Sequence, residues 1–354
     1  MISPKSFIGF TAVTAVIVIA AGVSVASRYG ETSVVTDDAR LFPALSGQLS
    51  DVTKVTVQDA EKTLTVKQQN GKWQLVSRQG YAASGEAIRD LLLGLSELRI
   101  RESKTKKPDR YTRLDVEDIT TKKAKSKLLT VKGKDGSKLA EILVGKVNNE
   151  ITGATNVGRY VRKPGDEQSW LVAGRLEVPD TVAKWVKPEF LSVLNKRVAK
   201  VTVIHPDGQT MMVSRAAAKG TKFKIENMPE GRIIEYQSDI DNMGDGLDKL
   251  ELEDVKETGK VTLPKDKITG TEYVTTDGLI VDVELAELQD GNFWARFKAR
   301  TADDASDDIK REAGAINAQT SKWIYQVPAH KYRYMSRKLS DVLKAFKDKK
   351  KGKK

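Results

Sequence analysis

The chain repeats itself, and that limits its fold more than any other feature. Lys54-Val55-Thr56-Val57 returns as Lys200-Val201-Thr202-Val203, and Lys72-Trp73-Gln74-Leu75 returns in kind as Lys222-Phe223-Lys224-Ile225. After Ser84 apolar residues recur at Ile88, Leu91, Leu95 and Leu98; after Ser238 they recur at Ile240, Met243, Leu247 and Leu250. Gly94 falls on Gly246, Lys104 on Lys256, and Trp170-Leu171-Val172 on Trp323-Ile324-Tyr325. The order is kept while the offset drifts from 146 (54 to 200) to 152 (104 to 256), as small loop insertions would cause. An ordered match at a long period marks a duplicated unit. It predicts two homologous domains, 44–190 and 196–346, each near the usual domain size.

Each half reads as strands, an amphipathic helix, more strands, then a short helix. Val55, Val57, Leu64 and Val66 alternate with polar residues, the period of a half-buried strand. Asn70-Gly71, Asp135-Gly136, Asp207-Gly208 and Asp290-Gly291 sit between such runs, where hairpin turns need positive φ. The stripe after Ser84 covers one face of a sheet, with Ser84 as N-cap. The predicted class is α+β: two mainly antiparallel sheets, each with one or two covering helices, behind an N-terminal transmembrane helix.

That helix is read from Phe7–Ala26, 20 residues without a charge. At 1.5 Å per residue, such a run spans about 30 Å, a bilayer core. Three readings compete: a retained span within an anchor of residues 1–30, a signal peptide cleaved after Ser24-Val25-Ala26, and a buried core helix. The run is longer than the 7–15 residues typical of the apolar core of a signal peptide and has no polar face, which favours the span. Lys5 before it and Arg28 after it orient it only weakly. The expected location is the inner membrane, single-pass, with the bulk of the chain in the periplasm.

The chain has no Cys and two His among 354 residues. That excludes disulfides, thiolate metal sites and Cys nucleophiles, and leaves little for a His-based metal centre or triad. Asp239-x-Asp241-x-Met243-Gly244-Asp245 begins like a calcium loop. Met243 stands at its fifth position and Leu250 at its twelfth, so it is read as packing. Gly244-x-Gly246 lacks the rest of a phosphate loop. His205, before Pro206-Asp207-Gly208, is expected on a surface turn, and His330 to be structural or exposed. The five Trp are expected in the core. The reading is non-enzymatic, with no cofactor, no metal and no catalytic residues; an envelope hydrolase on unrecognised carboxylates is the outlying alternative.

Lys and Arg outnumber Asp and Glu by 60 to 48. Residues 344–354 hold seven Lys and one Asp, so half of the +12 net charge lies in the tail. Residues 347–354 are read as a basic disordered tail. Its Lys347, Lys349, Lys350, Lys351, Lys353 and Lys354 are candidate contacts to a polyanion, an anionic lipid or glycan. Residues 99–134 carry 13 basic and 5 acidic side chains, and residues 226–257 carry 3 and 11. The basic run holds one aromatic, Tyr111, so no nucleic-acid stacking platform is expected.

Glu102-Ser103-Lys104-Thr105, Pro108, Tyr111 and Leu114 form a segment of mixed chemistry after the first helix. Pro108 ends any helix before it. The segment is either an ordered staple or a docking surface, and Glu102, Lys104, Thr105, Pro108, Tyr111 and Leu114 are its candidate docking residues.

That segment, with Leu41-Phe42-Pro43-x-Leu45, Trp73, Tyr81, Gly145-Lys146, Tyr160-Val161-Arg162 and Ser169-Trp170-Leu171, resembles a bacterial domain-of-unknown-function family of single-pass envelope proteins. Its members are often encoded beside ABC-2 exporters of the gliding-motility type. The resemblance covers the first half clearly and the second loosely. Asp115 stands where many relatives carry Gly. The resemblance implies a membrane-tethered, extracytoplasmic accessory or scaffold subunit of such an exporter, partnered by an inner-membrane ABC permease and associated envelope proteins. It carries over no catalytic residues. The alternative is a periplasmic module that binds an anionic glycan or lipid through its basic surface.

Overall fold

A computed structural model describes residues 39–149, 157–215 and 222–344. The predicted span Phe7–Ala26 and the tail lysines 347–354 lie outside them. Among the described residues, no helix is long and apolar enough to cross a membrane.

The chain divides into two compact units. One takes the residues up to Gln68 together with Ile88–Val178; the other takes Gln69–Ala87 and the residues from Pro179 onward. In chain order the elements are β1 (Val52–Gln58), β2 (Thr63–Gln69), β3 (Lys72–Leu75), β4 (Tyr81–Ala82), α1 (Gly85–Glu97), β5 (Arg99–Ser103), β6 (Lys127–Gly133), β7 (Lys138–Asn148), β8 (Gly158–Arg162) and β9 (Ser169–Ala173). There follow α2 (Val182–Trp185), β10 (Glu189–Leu191), β11 (Val198–Ile204), β12 (Thr210–Ser214), β13 (Lys224–Ile225), α3 (Gln237–Asp241), β14 (Leu250–Glu251), β15 (Asp254–Glu257), β16 (Thr269–Thr275), β17 (Leu279–Glu287), β18 (Phe293–Thr301), α4 (Asp307–Thr320), β19 (Trp323–Gln326), α5 (Ala329–Met335) and α6 (Leu339–Val342).

The first unit is an antiparallel sheet in the order β2-β1-β6-β7-β8-β9-β5. The second is an antiparallel sheet in the order β13-β12-β11-β16-β17-β18-β19-β15. From β12 to β15 it runs through its strands in the same sequence as the first. The likeness extends to an irregularity. β1 slips register against β6 between Val52 and Lys54, and β11 slips against β16 between Val198 and Lys200, the same place 146 residues on. A bulge at matching positions is a feature of the module rather than a defect.

The alternation read from sequence sets the core. Val55, Val57, Leu64 and Val66 are buried, as are Val201, Val203, Met211 and Val213 at the repeat. Fully burying such a side chain contributes about 1.5–3 kcal/mol. The glycine turns refine the expectation. Asn70 and Gly71 both take positive φ, but at Asp135-Gly136, Asp207-Gly208 and Asp290-Gly291 only the glycine does. Those three aspartates keep ordinary φ and accept the N–H two residues on, at Ser137, Gln209 and Asn292.

α1 forms as its stripe predicts. Ile88, Leu91, Leu95 and Leu98 are buried, and the Ser84 hydroxyl accepts the Ala87 N–H at 3.2 Å. The repeat of that stripe behaves differently. Ile240, Met243, Leu247 and Leu250 are all buried, yet the helix stops at Asp241 and passes into a 3-10 turn, Asn242–Asp245; Leu250 belongs to β14. Gly244 and Gly246 weaken a helix there. Both sit where a side chain will not fit: a Cβ at Gly246 would lie 2.1 Å from the Tyr273 hydroxyl, and one at Gly244 2.8 Å from the Phe223 ring. Packing at these two glycines replaced helix continuity.

The units also differ in their connections. α4 joins β18 to β19 and is held by Asn317, whose amide brackets the Ala299 backbone at 2.8 Å on both sides. The matching β8–β9 connection is the short turn Lys163–Gln168. Conversely, β15 and β16 are joined by residues 258–268, whereas the matching β5 and β6 are joined by the longer 104–126. The shorter crossover is apolar where it packs: Leu263, with Val261 and Ile268, sits against Trp294, Ala286 and Ile324.

Candidate functional site

The long crossover 104–126 contains most of the residues singled out in sequence. It leaves the edge strand β5, passes β9, β8 and β7, and enters the sheet at β6. Its fastening is polar. The Ser169 hydroxyl on β9 accepts the Thr105 N–H at 3.0 Å and donates to the Thr105 carbonyl at 2.8 Å. The Lys104 N–H donates to the Ser169 carbonyl, and the Ser169 N–H to the Thr105 carbonyl. Glu102 and Lys104 form an ion pair at 2.6 Å, and the Lys104 ammonium stands 5.9 Å from the centre of the Tyr160 ring.

Pro108 opens a 3-10 turn, Pro108–Arg113, that aims Tyr111 inward. Tyr111 is buried, so of the six candidate docking residues it is removed from the surface; its hydroxyl donates to the Glu167 carbonyl at 2.6 Å. Burial raises the pKa of that hydroxyl, against the opposing pull of Arg162. Arg162, at the end of β8, lies 4.4 Å over the Tyr111 ring and is itself only 3% exposed. Its Nε donates to the Val116 carbonyl, Nη1 to the Asp166 carbonyl and Nη2 to Asp118 Oδ1, at 2.9, 3.0 and 2.6 Å. A buried guanidinium is tolerated because each edge is bonded and one face is on an aromatic ring.

β7 supplies the close approach. The Lys146 N–H donates to the Leu114 carbonyl, and a Cβ at Gly145 would lie 2.2 Å from that same oxygen. Asp115 follows at φ +56°, a left-handed conformation that glycine adopts without cost. Further on, buried Glu117 accepts the Lys125 N–H at 2.6 Å through Oε1, and its carbonyl accepts the Ser126 hydroxyl. Glu117 Oε2 has no hydrogen-bond partner among the described residues. Gly145-Lys146, Tyr160, Arg162 and Ser169, scattered in sequence, therefore all meet the crossover. Nothing in their spacing identified this; only the strand order does.

The outer side of the crossover is cationic. Lys106, Lys107, Arg110, Arg113, Lys122 and Lys123 are exposed, and Asp118 is engaged by Arg162. Part of the acidic run of the second unit is engaged within it, while Glu230, Glu235, Glu251, Glu253 and Glu257 are exposed. Asp239 pairs with Arg337, Asp254 with Arg78, and Glu226 with Lys200; Asp241 accepts the Phe223 N–H and Asp245 the Asn195 amide. The calcium-like spacing is thus part of this packing, with Met243 fully buried. Among the described residues, no group of three or more His, Asp or Glu side chains is placed to hold a metal ion.

His205 departs from expectation. It is 5% exposed rather than on the turn surface, because Thr269 and the chain after α5 cover it. Its Nε2 lies 3.2 Å from the Arg337 carbonyl and Nδ1 3.4 Å from the Thr269 hydroxyl. It borders an open cleft of about 590 Å³ in the second unit, lined also by Glu287, Tyr332, Lys338 and Asp341. His330 is exposed, with its ring edge-on to Tyr334. Trp185 and Trp294 are buried; Trp73, Trp170 and Trp323 are only half-buried.

No curated protein matches the chain. A family model described as "Domain of unknown function (DUF4340)" matches residues 73–269, which is 197 of the 354 residues. That span takes in the whole crossover, its partners on β7, β8 and β9, and the start of the second sheet up to β16. The chain belongs to the DUF4340 family.

Proposed function

We propose that this chain is a membrane-anchored, extracytoplasmic accessory or scaffold subunit of an ABC-2-type exporter of the gliding-motility kind, working by holding partners rather than by chemistry. The observation that carries the reading is the uncharged run Phe7–Ala26 placed ahead of a duplicated sheet module. A run of that length suits a bilayer span. A repeated sheet on one tether offers two similar surfaces to an assembly. The polar groups gathered beneath the crossover are bonded mainly to backbone carbonyls and N–H groups, which is how a rigid clasp is built. The family resemblance supplies the exporter, the bacterial envelope and the single pass.

The test is affinity purification of the full-length chain from native membranes in mild detergent, followed by mass spectrometry. Stoichiometric recovery of an ABC permease and its ATPase supports the reading. Recovery of the chain alone, with its anchor intact, contradicts it.

A further inference from the structure

We infer that the outer face of crossover 104–126 docks on the anionic lipid headgroups of the membrane that holds the anchor. The inference rests on the anchor reading above and adds an orientation for the first unit.

Three observations carry it. The first is charge: Lys106, Lys107, Arg110, Arg113, Lys122 and Lys123 are all exposed, and among the described residues none of them is in an ion pair. Cations left unpaired on one connection attract an anionic surface within a Debye length, about 8 Å at physiological ionic strength.

The second is rigidity. The connection carrying these cations is clasped to the sheet and its turns through Thr105–Ser169, Tyr111–Glu167, Leu114–Lys146 and Arg162. It presents its charge without first having to order a loop, which lowers the entropic cost of binding. The second unit's shorter crossover turns Leu263 inward and exposes three lysines, Lys260, Lys265 and Lys267, against the six cations of the first.

The third is position. The chain joins the first unit alongside the start of β5: the Ile100 N–H donates to the Ala39 carbonyl, and Arg40 bridges Arg99. β5 then leads directly into the crossover, so the cations begin at most about 20 Å from that junction at about 3.3 Å per residue. Residues 27–38 separate the junction from the predicted span. Twelve residues extend at most about 40 Å, which keeps this face within reach of the headgroups.

The experiment places the full-length chain in lipid nanodiscs, either phosphatidylcholine alone or phosphatidylcholine enriched in phosphatidylglycerol, and follows amide deuterium exchange. The expected result is several-fold slower exchange at residues 106–125 in the anionic discs alone. High salt should reverse it, as should replacing the six cations with Gln. Exchange in β6 and β7 serves as the control that the variant is folded; the salt reversal tests the wild-type chain without substitution.

Chain that enters the discs but exchanges identically in both lipids overturns the docking and leaves the anchor standing. So does protection that needs a soluble polyanion, such as polyphosphate, instead of lipid. Chain that elutes apart from the discs overturns the anchor and the docking together.

Discussion

Arg162 shows how one residue can hold a connection in place. Its guanidinium is bonded to two carbonyls and a carboxylate and covered by the Tyr111 ring. Arg162→Ala strands those acceptors and opens a gap under the ring. The expected loss is about 3 kcal/mol in urea-induced unfolding. Arg162→Lys should recover little, since an ammonium cannot serve three directions in one plane. Asp115 makes the opposite case. At φ +56° a side chain is a burden, so Asp115→Gly should raise stability by about 0.5 kcal/mol and Asp115→Val lower it by more than 1 kcal/mol. That conformation also accounts for the glycine expected there from the resemblance. Gly145→Ala should cost about 2 kcal/mol, because the new methyl meets the Leu114 carbonyl and the Val116 side chain. The same unfolding curves measure all of these; unchanged midpoints for Arg162→Ala and Gly145→Ala would contradict the clasp.

The elements differed in how far local sequence could specify them. Strand alternation and the α1 stripe were legible because burial on one face is written into a short period. The stripe from Ile240 to Leu250 was legible as core but not as chain path. Its spacing says what is buried, while the early end of α3 depends on Phe223 and Tyr273 closing on two glycines from distant strands. His205 was misplaced for the same reason: the turn it precedes is local, but its cover comes from Thr269 and Arg337.

Another element-scale contact has a pH signature. Arg197, just before β11, holds Glu312 on α4 through two bonds of 2.8 Å and Asp277 through a third. Burial alone would raise the Asp277 pKa, but Arg197 and the Thr275 hydroxyl outweigh it and hold the carboxyl below its ordinary value. A carboxyl whose folded pKa is depressed stabilises the protein above its unfolded value, near pH 4, and loses that contribution as pH falls through the folded one. Arg197→Gln should therefore cost about 1 kcal/mol at neutral pH, the groups being partly exposed. The gap from wild type should close as the pH is lowered past 4. A gap independent of pH would show that the contact matters by packing alone.

At the scale of the whole molecule, the repeated strand order was the most legible feature and the differing connections the least. Matched strings such as Lys54-Val55-Thr56-Val57 and Lys200-Val201-Thr202-Val203 fall on equivalent strands with an equivalent bulge. The copies diverge in their connections, where the first acquired a clasped basic crossover and the second acquired α4. Net charge over 99–134 pointed toward that crossover, yet could not separate Arg162-bound Asp118 from free surface charge. That distinction needs the fold.

The proposal for the molecule depends on Phe7–Ala26 spanning a membrane with both units outside the cytoplasm. Membranes from cells expressing the full chain should be washed with alkaline carbonate, and intact spheroplasts treated with protease. The account predicts that the chain stays in the membrane pellet through the wash and that protease added outside cleaves both units. Release by the wash, or units protected until the membrane is broken, would contradict it.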